Sequence, residues 1–508
     1  MKNSVRLVWQ ILILLLSCCV LQIASAEELY DLVLQGGRVI DPETGLDAIR
    51  NVAIDDGKIV KVSTEPLAGK EIVDVTSMVV APGFIDLHSH TPTPLGQRYQ
   101  AMDGVTTALE LEYGAYPLDG FASHLATGKA VINYGASTGY LAVRLQVKEG
   151  IRQSHVLDPK FTIGWRAYWN KFRSLFSDPR VVYRESASDD ELHRLRRLLE
   201  QGLEEGGLGI GLPLDYISEA VNNEEIRMIF NVAGARNAPV FVHIRRGVAG
   251  DPAGLIEVLN LAKETGAPLH VVHLQHSATK ATHDFLTRIR HAAKEGLDVT
   301  TEAFPYNAGT VNIGAAVFDR DWQAIFGITY EDVEWIATGE RLNEATWNEY
   351  HENYPNGIIV HHYVKEAWTR EVIGAPDVMI ASDAIPAISE DIKVAPQGIG
   401  TYSRVLGRFV RELNLLDLPT AIAKMTIMPA QRLEEIAPAF SKKGRLQVGA
   451  DADITVFDPA SVEDKATYTD PFQPSEGITH VLVNGTFVVR DAAFQKEVYP
   501  GRLLTATR

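Results

Sequence analysis

The sequence predicts an α/β chain in which a (β/α)8, TIM-like barrel carries a small β-sandwich built from both chain ends. Three observations lead there. Eight apolar runs in the middle of the chain alternate with amphipathic helical stretches, the pattern of parallel strands joined by helical crossovers. Short β-like runs with turn signals crowd both ends, and neither set is large enough to cover its own apolar faces. The 508 residues are 46% hydrophobic and 22% charged, globular proportions that exclude disorder or low complexity as a description of the whole.

Residues 1–26 read as an export signal. Lys2 and Arg6 precede an apolar run from Leu7 to Ile23, and Ala24-Ser25-Ala26 supplies small residues for cleavage. The competing reading is a retained membrane anchor. Both cysteines, Cys18 and Cys19, lie in this segment, so a cleaved chain has no thiol. The expected localisation is periplasmic or secreted, with no stable membrane insertion after cleavage. Any metal site must then be built from histidine and carboxylate. A formal charge of −17 excludes a nucleic-acid partner, whose phosphates need a basic face. The expected partner is a small-molecule substrate, with homo-oligomerisation left open.

Residues 27–80 form the first part of the sandwich, where Asp56-Gly57 suits a tight hairpin. The barrel occupies 81–438. Its candidate strands are Phe84 to His90, Val105 to Glu112, Ala130 to Tyr134, Leu208 to Leu212, Val240 to Ile244, Leu269 to Leu274, Val299 to Phe304 and Val378 to Ala381. Helical stretches include Glu191 to Leu203, Glu224 to Ala235, Leu255 to Thr265 and Phe285 to Lys294. Two long connections, Ser137 to Glu205 and Asn307 to Asp377, belong on the catalytic face. Residues 439–508 return to the sandwich, with Asn484-Gly485 as a second hairpin signal.

Chemistry gathers at the carboxyl ends of the strands. His88 and His90 are one strand period apart, so both face the same way and can share a metal. Glu110 and Glu112 share a face on the next strand. One of them is expected to be a ligand, Glu112 first and Glu110 as the alternative, against a plain salt bridge to Arg245. His243 and His273 each end a strand. By alternation His270 should face away from His273. Asp383 ends the last strand, as either a proton acceptor or a turn residue.

The order Gly83-Phe84-Ile85-Asp86-x-His88-x-His90, then Gly104-Val105-Thr106-Thr107, then His243, His273 and Asp383 resembles the amidohydrolase superfamily. Within it the chain is most similar to the D-aminoacylase, or N-acyl-D-amino-acid deacylase, branch. The resemblance implies one or two divalent metal ions, usually Zn2+, with His88 and His90 at one position and His243 and His273 at the other. Branch members can use a cysteine on the second strand as a shared ligand, and Glu112 takes that place here. Hydantoinases and dihydroorotases use a modified lysine on the fourth strand, which Leu208 to Leu212 lacks.

Arg245, Gln275 and Tyr306 fall at substrate-binding positions of the branch. Gln275 stands where the branch often has lysine, and Pro396-Gln397 stands where it has an arginine for the substrate carboxylate. Arg246 or a residue of a long connection is then the replacement cation. The implied activity is hydrolysis of the amide bond of an N-acyl-(D-)amino acid by metal-activated hydroxide, with Asp383 moving the proton. The alternatives are a cyclic amide, lactone or dipeptide hydrolase, and a non-catalytic binding protein on the same scaffold.

Overall fold

Eight short strands, nearly all buried, run parallel in one sheet. They are β1 (Phe84–Asp86), β2 (Val105–Ala115), β3 (Asn133–Gly139), β4 (Ile210–Pro213), β5 (Val240–His243), β6 (Leu269–Val271), β7 (Val299–Ala303) and β8 (Met379–Ile380). In the computed structural model residues 29–125, 129–158, 160–162 and 181–507 are described, and the expected export signal lies outside them. Each strand pairs with the next in sequence, so the topology is that of the expected barrel. Closure comes just past β1 and β8, where Ser89 pairs with Ala384. The His90 N–H donates to the Ala384 carbonyl at 2.8 Å. The four expected helices are present, at Asp189–Glu204, Asn223–Ala235, Ala253–Thr265 and Thr282–Lys294. The first is opened by a capping box of Ser188 and Glu191. Among the described residues no helix is long and apolar enough to cross a membrane.

Both chain ends contribute to a single nine-stranded sheet. They meet where Val79–Pro82 pairs antiparallel with Ile454–Phe457, Val80 opposite Val456. Strand Tyr30–Asp41 changes partner along its length, from Gly69–Asp74 to Val79–Pro82, across an irregularity at Gly36-Gly37. A Cβ on Gly37 would stand 2.6 Å from a Val80 methyl, so only glycine permits this approach. The sandwich is therefore one sheet bent around a shared core that includes Leu34, Val52, Ile54, Ile454 and Leu482. Both predicted hairpin turns have positive φ at each residue, Asp56-Gly57 and Asn484-Gly485.

The connection after β7 builds its own small body. Four antiparallel strands, Gly309–Asn312, Val333–Trp335, Glu340–Arg341 and Ile358–His361, carry an aromatic core around Phe318, Trp322, Phe326 and Trp347. At the opposite end, Asp453 ties sheet to barrel. Its carboxylate accepts from Lys443 Nζ at 2.7 Å, from Asn133 Nδ2 on β3 at 3.0 Å and from the Asn484 N–H at 2.6 Å. Lys443 also pairs with Asp451 at 3.0 Å and is almost fully buried. Lys443→Met should cost about 3–5 kcal/mol of stability, because it removes the buried ammonium from Asp453 and leaves Asp451 to Lys58 alone. Denaturant unfolding measures this, and a loss below about 1 kcal/mol would mean that the remaining donors suffice.

Candidate metal centre

His88 and His90 extend just beyond β1, and their Nε2 atoms face each other at 3.1 Å. Glu112 Oε2 from β2 lies 3.0 and 3.1 Å from those two nitrogens. Asp383 Oδ1, just past β8, lies 3.3 and 3.5 Å from them. Tetrahedral bonds of about 2.0–2.1 Å to nitrogen and oxygen place donor atoms about 3.4 Å apart, so this donor set suits a divalent cation. Glu112 Oε1 turns the other way, 2.8 Å from His243 Nδ1 and 3.7 Å from His273 Nε2, and those nitrogens are 3.2 Å apart. Glu112 thus joins two donor groups, one oxygen to each.

The outer nitrogens are occupied in ways that fix the inner ones. His88 Nδ1 lies 2.6 Å from Glu302 Oε1, and His90 Nδ1 lies 2.8 Å from Glu110 Oε1. A carboxylate only accepts, so each imidazole carries its proton on Nδ1 and turns a lone pair inward on Nε2. Glu302 in turn meets His270 at 3.1 Å, and Glu110 meets His155 at 2.8 Å. Burial alone would raise both glutamates. His88 and His270 nevertheless hold Glu302 down to about 2, and His90 and His155 hold Glu110 at the same level. Burial likewise disfavours charge on His88, yet Asp383, Glu302 and Glu112 outweigh it and raise its pKa well above the ordinary value. A field that draws protons onto these rings favours a cation at the same point. Burial and the neighbouring Arg246 push His243 down to about 4, which keeps it neutral and able to ligate.

Asp383 is held by its neighbours. The Ser382 N–H and Oγ both donate to Asp86, at 3.0 and 2.5 Å, and the Ala384 N–H donates to Ser382 Oγ at 3.1 Å. Between them Asp383 takes a left-handed φ of 52°, uncommon for a residue with a side chain. Its side chain is 24% exposed, against 10% or less for the other members of its group, so it is the member that solvent reaches.

Several expectations are corrected. Arg245 does not pair with Glu110 or Glu112 and does not turn toward the histidines. Its guanidinium donates to the Ser218 and Val221 carbonyls and to Glu257 Oε2 at 3.0 Å. The resemblance places it at a substrate-binding position, but β5 ends at His243 and the chain beyond turns Arg245 to these carbonyls. His270 stays outside both donor groups, its Nε2 3.1 Å from Glu302 Oε2. β6 stops at Val271, and a φ of 34° at His273 re-aims its ring into the network that His270 also serves. Gln275 is buried, with Nε2 donating to the Phe304 carbonyl at 2.7 Å. Tyr306 lies under the Arg404 guanidinium, 4.8 Å from its ring centre. Sequence reasoning missed the orienting roles of Glu302 and His155. Glu302, at the end of an apolar strand, carried a signal of the same kind as Glu112; His155, inside a long connection, carried none.

The amidohydrolase family model matches residues 79–488. The chain belongs to the amidohydrolase family. Among relatives it is 29% identical to N-acyl-D-glutamate deacylase of Alcaligenes xylosoxydans xylosoxydans over 94% of this chain and 97% of that one. It is 27% identical to the D-aminoacylase of the same organism, over 95% and 99%. The solved N-acyl-D-glutamate deacylase of Bordetella bronchiseptica, a complex with zinc and a phosphonate inhibitor, shares this fold. The TM-score is 0.76 at 24% identity, covering 94% of this chain and all of that one. The amidohydrolase fold thus agrees with the barrel read from the strands.

Metal analysis tests the reading of Glu112. Glu112→Gln should lower metal content at both positions. Glu110→Gln should keep the stoichiometry and weaken affinity by about 10- to 100-fold, as expected when only an orienting partner is lost. Full metal content in Glu112→Gln, with loss in Glu110→Gln, would exchange the two roles.

Proposed function

We propose that this amidohydrolase cleaves the amide bond of a small N-acyl amino acid, of D configuration as in the named relatives, using one or two zinc ions. The observation that carries the reading is Glu112 set between two histidine pairs, with Asp383 over the first pair on the open side. A divalent cation held there supplies Lewis acidity, which polarises an amide carbonyl and makes water a stronger acid. His88 and His90 would hold one ion with Glu112, and His243 and His273 the other, with Asp383 beside the first. Zinc is supported by the nitrogen-and-oxygen donor set and by the zinc in the Bordetella relative. The segment 1–26 supports export to the periplasm or medium.

Asp383 does the proton work. It is the exposed carboxylate of its group, and its anchored neighbours keep it beside the histidines. It takes the proton of the attacking water and returns it to the departing nitrogen. A cyclic-amide reading is also favoured by one finding, 27% identity to a dihydroorotase of Geobacter metallireducens over 86% of this chain. Against it, β4 (Ile210–Pro213) contains no lysine.

A hydrolysis screen over N-acyl-D- and N-acyl-L-amino acids, dipeptides and cyclic amides separates these readings. Activity is expected on the first class, lost on chelation and restored by zinc. Asp383→Asn should lower kcat by about 10²- to 10⁴-fold while metal content is largely retained. Full turnover in that variant, or no hydrolysis of any compound by metal-loaded protein, would refute the mechanism.

A further inference from the structure

Two guanidinium groups beside the metal centre share one carboxylate. Asp215 Oδ1 accepts from Arg320 Nη1 at 2.8 Å and from the backbone N–H of Arg246 at 2.9 Å. The Arg246 side chain reaches Asp215 only at 3.9 Å through Nε, and that Nε makes no hydrogen bond among the described residues. Yet this side chain is only 9% exposed. Around its guanidinium are the Phe326 ring at 5.4 Å, the phenols of Tyr216 and Tyr363, and Glu112. Asp215 is already engaged by Arg320, and Glu112 by four imidazoles. A buried cation that shares its one adjacent carboxylate with a second guanidinium, and otherwise meets a ring face and phenols, has an incomplete set of anionic partners.

We propose that Arg246 binds the carboxylate of the substrate and so selects N-acyl amino acids over neutral amides, an inference that rests on the hydrolase reading above. Arg246 lies three residues beyond His243, so an anion there sits beside an amide held at the histidines. Its planar fork suits a carboxylate bidentately. Gln275 and Gln397 are buried and uncharged, and among the described residues each leaves its Oε1 without a partner. Arg320 acts one step away, holding Asp215 and the Arg246 carbonyl and so fixing the main chain from which Arg246 projects.

The test compares an N-acetyl amino acid with its methyl ester. For metal-loaded wild type, kcat/KM should favour the free acid by about 10- to 150-fold, the range of a charge-assisted hydrogen bond. Arg246→Met should remove that preference, chiefly through KM, and Arg246→Lys should restore part of it. Equal losses on acid and ester would overturn the proposal and make Arg246 a counter-charge for Glu112. Calorimetric binding of the same two compounds to Asp383→Asn protein, with and without Arg246→Lys or Arg246→Met, needs no turnover. Binding that depends on both the carboxylate and Arg246 sustains the inference even where hydrolysis fails, and binding indifferent to the carboxylate overturns it. The lysine variant, which keeps the buried charge, covers the case in which the methionine variant does not fold.

Discussion

A carboxylate buried among four imidazoles is the constraint around which this molecule is arranged. Glu112 is held well below the usual carboxylate range although burial pushes the other way, because His88, His243 and His273 surround it. An ionised group so deep in a protein needs positive or hydrogen-bonding partners on every side. Those partners come from strands 1, 5 and 6, so the charge on strand 2 draws distant parts of the chain to one point. The same demand repeats one layer out. Glu110 and Glu302 are each flanked by two histidines, and they decide which nitrogen of His90 and His88 faces inward.

The barrel closes where the site is assembled. The first and last strands meet at Ser89 and Ala384, next to the residues that carry His88, His90 and Asp383. Asp86 secures that seam by accepting from Ser382 and from the His88 N–H at 3.1 Å. Burial raises its carboxyl to about 6 despite those bonds, so the seam has an energetic cost. The left-handed backbone at Asp383 is a second cost at the same place. Both are sustained because the packed barrel around them leaves no alternative course for the chain.

How far this was legible in the sequence depends on where strands stop. Alternation holds inside a strand and just beyond β1, and so the pairing of His88 with His90 was readable. It says nothing once a strand has ended, and Arg245, which the family resemblance places in the site, lies two residues past the end of β5 and turns away. The sandwich was readable as a shared body of both termini, but not as one bent sheet, because the partner change of strand Tyr30–Asp41 depends on Gly36-Gly37 and distant partners. His155 was invisible for another reason. It sits in a long connection with no period, and only the folded chain brings it to Glu110.

The two walls of the site differ in charge, and the difference gives the reaction a direction. On the side of β1 and β8 stands Asp383, the carboxylate proposed above to exchange a proton with water and nitrogen. On the side of β5 stands Arg246, which cannot give up a proton near neutrality. On the proposed function, a substrate with its carboxylate at Arg246 and its carbonyl at the histidines would direct its scissile nitrogen toward Asp383. The body inserted after β7 completes that arrangement, since Arg320 and Phe326 both belong to it and both bear on Asp215 or Arg246. On these proposals, recognition of the anion would depend on an insertion outside the barrel, and the proton transfer on the barrel seam. One family scaffold can then keep its chemistry while its insertion changes what is bound.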